Sequence, residues 1–241
     1  MIILKEPMSL RQFLQKLKEI PRWGFYISIL WFFTSFGIYR LGMWLSHLLG
    51  TDVRAFPCSI SFIDDNIPVI PAFIIIYLLS YILWVLWYAL IALTGKRNFI
   101  NFIFASGLAY LIGLLFFIFL PTVMDREAEG LIALSEKPGL FNWMMHVTFQ
   151  GDGGLAGHNL FPSFHCISSA FCCLFLRKQE KIPVCIQRSV FIGSILICFS
   201  TVFTKQHYFI DTVGGILIAL LCYLIIKAID PGTRFLNRRQ P

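Results

Sequence analysis

Apolar and polar residues are segregated along this chain in blocks the length of whole helices. Apolar runs cover about 25–49, 67–93, 99–120, 162–176 and 189–203, and a last one leads out of Ser200–Asp211 to end near Ile229. An α-helix needs roughly 20 such residues to cross a bilayer. Six spans are therefore expected. Pro68 and Pro71 fit the first turn of the second, where a missing N–H is harmless, and Pro121 stops the third. The fourth is the shortest, which places its N-terminal end below the membrane surface within the protein. Residues 9–20 differ, because Leu10, Phe13, Leu14, Leu17 and Ile20 stand between basic residues. That pattern predicts an amphipathic helix lying on the membrane surface. The connection at 51–66, with Asp52, Asp64 and Asp65, is expected to be solvated. Residues 122–160 read as a polar, irregular connection, long enough to suggest a function of its own.

The fold class expected is all-α: a polytopic membrane protein of six transmembrane helices behind an N-terminal amphipathic helix. Three regions follow. Residues 1–24 form a cytoplasmic amphipathic segment, 25–230 a six-helix membrane domain, and 231–241 a basic cytoplasmic tail. Composition agrees, since 57% hydrophobic and 14% charged residues are far from the balance of a soluble domain. No internal repeat and no linker is visible. No small-residue cleavage site follows the first apolar run, so it is expected to be retained rather than removed as a signal peptide. The seven cysteines show no C-x-x-C pair and no zinc-like spacing with histidine.

The net charge of +7 sits in short clusters at span ends, which excludes a nucleic-acid surface and points to topology. With six spans, fifteen Lys and Arg fall on one side and four on the other, with Arg40 inside the first span. Both termini are then cytoplasmic. Residues 121–165 and 200–211 share the opposite face.

That face carries the candidate chemistry. Ser200–Asp211 packs Lys205, His207 and Asp211 into seven residues. An acid about a turn into an apolar helix costs about 2.5 to 3.5 kcal/mol without a partner. His207, four residues earlier, is the nearest, and the pair suits a carboxylate that orients a nucleophilic or basic imidazole. Asn159–His165 precedes span four, where Pro162 fits a helix start and Ser163 and His165 meet free backbone N–H groups that favour a phosphate or another anion. Pro121–Arg126 is the third polar stretch. A lone histidine at a span end is ordinarily interfacial. His47 and His146 are read so, and the six tryptophans as interfacial or lipid-facing residues. Arg40 is expected to face the bundle interior or to snorkel.

Pro162-Ser163-Phe164-His165, taken with Ser200, His207 and Asp211, resembles the second and third signature motifs of the type 2 phosphatidic acid phosphatase superfamily. The first motif, a lysine separated by six residues from Arg-Pro, is present only as Arg126, with Phe119 and Glu127 in the other two places. Thr201 stands where the family usually has arginine, and Phe164 where it has glycine. N-x-F-P-S-x-H with K-Q-H-Y-x-x-D is similar to the branch containing inositol phosphorylceramide synthases, in which Lys205 would supply the missing cationic charge.

The resemblance implies a six-helix bundle and a lipid phosphate phosphatase. His207 attacks phosphorus, Asp211 orients it, and His165 serves as acid and then base. Arg126, Lys205 and Ser163 hold the phosphoryl oxygens, and His158, Asn159 and Ser200 are further pocket candidates. No Asp, Glu and His cluster has metal-ligand spacing, so no metal and no cofactor is expected. The partners expected are a lipid phosphate substrate, such as phosphatidic acid, phosphatidylglycerol phosphate or a polyprenyl diphosphate, and the surrounding membrane lipids, most simply in the cell membrane. Two other readings stay open: transfer of the phosphoryl headgroup to an alcohol, and a non-enzymatic lipid transporter or scaffold.

Overall fold

The structure, a computed structural model, describes residues 10–237. Residues 1–9 of the expected N-terminal segment and 238–241 of the expected tail lie outside the described residues. Helix α1 (Leu10–Lys18) leads into α2 (Arg22–Leu48). A short α3 (Ser61–Asp64) precedes the long pair α4 (Ile74–Thr94) and α5 (Lys96–Phe119). Then come strand β1 (Val123–Asp125), α6 (Leu131–Ser135), α7 (Leu140–Gly151) and strand β2 (Ala156–His158). The chain ends with α8 (Phe164–Leu176), α9 (Val184–Phe203), α10 (Phe209–Ile229) and α11 (Pro231–Asn237).

Among the described residues four segments are long and apolar enough to cross a membrane: Pro71–Thr94, Lys96–Phe119, Val184–Phe203 and Phe209–Asn237. This is an integral membrane protein. Two further helices, α2 and α8, pack against them. The 27-residue α2 has the length but carries more polar residues, including Arg22 and Arg40, and α8 is apolar but only 13 residues long.

Helix α8 is the hub, packed against α4, α5, α9 and α10, while α2 lies across α4 and α5. The core there is built from Tyr88, Phe102, Tyr110, Phe171 and Ile197, all fully buried. Lipid tails are as apolar as these side chains, so close packing and interhelical hydrogen bonds must hold the helices together. Trp31 Nε1 donates to Ser106 Oγ at 3.0 Å and Trp84 Nε1 to Ser169 Oγ at 3.1 Å. The Tyr110 and Ser168 hydroxyls meet at 2.9 Å. The buried positions of α2 are Gly24, Ser28, Gly42 and Ser46, all small, which lets its backbone approach its neighbours closely.

Several expectations need correcting. The helix of the second span begins at Ile74 rather than Ile67, after a 3₁₀ turn at Pro71–Phe73. Ahead of it the chain is pinned by a hydrogen bond from Ile70 N–H to the Phe203 carbonyl. Asp64 is buried rather than solvated, because its carboxylate accepts the backbone N–H groups of Ile60 and Phe209, at 2.7 and 2.8 Å. Nor is 122–160 irregular. β1 and β2 pair antiparallel, Val123 opposite His158, and the intervening α6 and α7 pack Leu131, Met145 and Phe149 into a second apolar cluster with Ile74, Tyr77 and Tyr208. This cap covers the end of the bundle where α8 and α10 begin. At the other end α11 folds back onto α5, where Asn101 Oδ1 accepts the Gly232 N–H at 2.7 Å.

Candidate active site

The start of α8 and the start of α10 are locked together. Ser163 is the N-cap of α8, its Oγ accepting the Cys166 N–H at 3.4 Å, and its own N–H donates to the Asp211 carbonyl at 3.1 Å. The preceding turn hangs on Thr122, whose Oγ1 accepts the N–H groups of Leu160 and Phe161 at 3.0 and 2.8 Å. On the α10 side a Cβ at Gly215 would sit 2.6 Å from the Ser163 carbonyl oxygen, so only glycine permits this approach.

His207 lies in the turn before α10, which begins at Phe209 with Tyr208 as N-cap. Asp211 closes a capping box by accepting the Tyr208 N–H on Oδ2 at 2.8 Å. The same oxygen is 3.6 Å from His207 Nδ1, and Oδ1 accepts the Cys58 thiol at 3.0 Å. The predicted His207 and Asp211 pair is thus formed, across a helix start rather than along a helix. Burial lowers the His207 pKa, and the negative charge of the adjacent Asp211 carboxylate raises it; the net shift is upward. Asp211 itself is fully buried.

His165, in the first turn of α8, lies flat on Tyr77 with ring centroids 4.2 Å apart and 20° between the planes. The rings of Tyr81 and Trp84 meet it edge-on. Its ring centroid is 6.1 Å from that of His207. Both histidines line one cavity of about 480 Å³. Helix α2 forms one wall with Phe32, Ser35, Phe36, Tyr39 and Arg40, and α7 another with Trp143 and Val147 and with its C-cap Asp152. Trp143 and Val147 are also 60% and 50% exposed, so this wall is at once the cavity lining and part of the outer surface. His158 and Asn159 line the same space.

The expected phosphate ligands lie elsewhere. Arg126 is completely buried and is not among the cavity-lining residues. Its Nη1 donates to the carbonyls of Phe149, Asp152 and Gly154 at 3.2, 3.3 and 3.2 Å. Its Nη2 pairs with Asp152 Oδ2 at 3.0 Å and donates to Gln206 Oε1 at 3.3 Å. Lys205, held at a φ of 50°, points its ammonium away, to the Asp64 carbonyl at 2.7 Å. Ser163 and Ser200 are fully buried in helix-end hydrogen bonds, and neither lines the cavity. The cation that does line it is Arg40, which among the described residues makes no hydrogen bond or ion pair. Among the described residues no group of three His, Cys, Asp or Glu is placed to hold a metal ion.

Sequence reasoning passed over Tyr39, Asp152, Gln206 and Cys58, and each touches the site's framework. Tyr39 donates to Asp152 Oδ1 at 2.5 Å and to the His158 carbonyl at 3.1 Å. Of these, Gln206 was marked beforehand only as the second residue of K-Q-H-Y-x-x-D, beside His207.

Residues 47–225 match the family model of the PAP2 superfamily, which is most of the chain and includes every site residue discussed above except those of α2. The chain belongs to that superfamily of membrane phosphatases and phosphotransferases. No curated protein and no solved structure matches it.

Proposed function

We propose that this protein is a lipid phosphate phosphatase that works through a phosphohistidine on His207. The observation that carries this reading is the convergence of His165 and His207, 42 residues apart in the chain, on one cavity with Asp211 behind His207. Nδ1 faces Asp211, which leaves Nε2 as the nucleophilic nitrogen. In the first step Nε2 attacks phosphorus in line and the bond from phosphorus to the lipid oxygen breaks. His165 protonates that oxygen as it leaves. In the second step water attacks the phosphohistidine, His165 takes a proton from it, and inorganic phosphate departs with His207 restored. Asp211 stabilises the imidazolium character that develops in both steps.

Phosphoryl transfer depends mainly on positioning and on compensating charge at the equatorial oxygens. Family resemblance gives that role to Arg126, Lys205 and Ser163. Their placement supports framing roles instead, with Arg40 as the lining cation. The asymmetry of Lys and Arg supports cytoplasmic termini and a site on the opposite face of the membrane. Acceptable substrates are phosphate monoesters or diphosphates carried on an apolar chain, because the cavity walls are largely aromatic and aliphatic.

Transfer to an alcohol is the second reading. The cavity's size favours it, since about 480 Å³ holds more than one phosphate group. Purified protein given a panel of lipid phosphates should release inorganic phosphate, and His207→Ala should abolish release while keeping its thermal unfolding profile. Undiminished release by that variant rejects the mechanism. Lipid products formed with added alcohols, read by mass spectrometry, would move the reaction to transfer.

A further inference from the structure

Gln206 stands between Lys205 and the proposed nucleophile, is 1% exposed, and lines the cavity. Its backbone is fixed, with the N–H groups of Gln206 and His207 both donating to the Thr201 carbonyl at 2.9 and 3.1 Å. Its side chain is fixed from one end, since Oε1 accepts Arg126 Nη2 at 3.3 Å. A guanidinium has only donors, so the amide cannot be turned the other way round without setting two donors against each other. Nε2 must therefore be the free end. It is buried and has no hydrogen-bond partner among the described residues. Buried donors are rarely left unmade in folded proteins, and one kept open beside a reacting group is a position for a ligand acceptor.

Arg126 Nε is also buried without a partner among the described residues, but Arg126 does not line the cavity and its guanidinium cannot turn toward it. Three backbone carbonyls and the Asp152 carboxylate fix its plane, and a Cβ at Gly157 would lie 2.8 Å from Nη2. The buried cation therefore reaches the cavity only through the amide that it orients.

We propose that Gln206 Nε2 donates to a non-bridging oxygen of the phosphoryl group attacked by His207, with Arg126 as the positioning residue that sets the amide. The site would then hold the tetrahedral oxyanion partly by a neutral donor next to the nucleophile. This rests on the phosphatase reading for its substrate. The ligand chemistry, a phosphate monoester or free phosphate, can be tested apart from turnover.

The test uses the full chain in detergent micelles, with Gln206→Met and Gln206→Glu. Both are close in size to glutamine; Met removes the donor without adding charge, and Glu keeps an acceptor for Arg126. Orthovanadate and inorganic phosphate are titrated by calorimetry, phosphate release is measured with a short-chain lipid phosphate, and thermal unfolding reports folding. Both variants should weaken oxyanion binding about tenfold or more and lower kcat about 100-fold, in the range seen when one preorganised oxyanion donor is removed. Gln206→Glu should unfold at the parental temperature.

Parental oxyanion affinity in Gln206→Met overturns the proposal, even if Gln206→Glu binds less, because added charge alone would explain the latter. A parent that binds neither vanadate nor phosphate also overturns it. Weakened binding in both folded variants, from a parent that turns over no lipid phosphate, keeps the proposal and rejects the phosphatase reading. If Gln206→Met does not fold, Arg126→Lys, which keeps the charge but cannot hold the amide by its fork, should show the same loss of affinity; parental affinity there overturns the proposal.

Discussion

Tyr39 donates its hydroxyl proton to Asp152 at 2.5 Å, and through that carboxylate the first long helix is tied to the buried guanidinium of Arg126. Asp152 is the anion that compensates Arg126 in the interior, and Tyr39 holds Asp152 in place.

Asp152→Asn should therefore destabilise the protein more than Tyr39→Phe. Leaving a fully buried guanidinium without its carboxylate costs about 3–5 kcal/mol. Losing one hydrogen bond to a carboxylate costs about 1.5–3 kcal/mol. Thermal or denaturant unfolding in detergent should rank them in that order, and the reverse order would contradict the role given to Asp152.

A second expectation concerns pH. His207 has a folded-state pKa raised above its unfolded value, so its protonated form contributes stability below about pH 6.5, and that contribution is lost as pH rises through the folded pKa. The nucleophile is the deprotonated form. The mechanism also needs His165 protonated when the lipid oxygen leaves, so phosphate release should follow a bell-shaped pH profile in which the limb set by His207 has its midpoint above 6.5, the ordinary histidine value. In Asp211→Asn the main upward cause is removed while burial stays, and whatever activity survives should show that midpoint shifted downward. An unshifted midpoint would detach Asp211 from the titration of His207.

Cys58 offers a subtler test. Its thiol donates to the Asp211 oxygen that does not face His207. Without that donor the carboxylate becomes more basic and holds the His207 proton more firmly. Cys58→Ala should move the midpoint of the rate profile up, and Cys58→Ser, which restores a donor, should bring it back. Equal midpoints in the three proteins would show that the thiol contact does not reach the dyad.

For Arg40 the expectation is a change in binding. Arg40→Gln should raise KM for a lipid phosphate about tenfold at low salt, the size of a single favourable charge interaction of about 1.4 kcal/mol, and should flatten the salt dependence. Arg40→Lys should recover part of the loss. Steady-state kinetics at two ionic strengths separates this from a fall in kcat.

The bundle was legible because span-length apolar blocks leave a bilayer protein few alternatives, and α5, α8, α9 and α10 lie close to where the pattern puts them. The His207 and Asp211 pair was legible for a related reason, since an acid one turn into an apolar helix demands a local partner. Arg126 and Lys205 illustrate what the pattern hides. Both stand in polar stretches on the expected face, yet their partners are backbone carbonyls brought there by tertiary contacts, Phe149 and Gly154 for one and Asp64 for the other. Asp64 looked solvated because its two hydrogen-bond donors belong to different segments, one of them 145 residues away. β1 and β2 are three residues each, too short for an alternating pattern to mark them.

Helix α7 carries Trp143 and Val147 both on the outer surface and on the cavity wall. A substrate that enters past this wall meets those side chains before it meets His207. For one delivered there from the lipid, the quantity that sets the rate is its mole fraction in the lipid film rather than its concentration in the surrounding water. Diluting a substrate with inert detergent at constant bulk concentration would slow this protein as surely as removing the substrate.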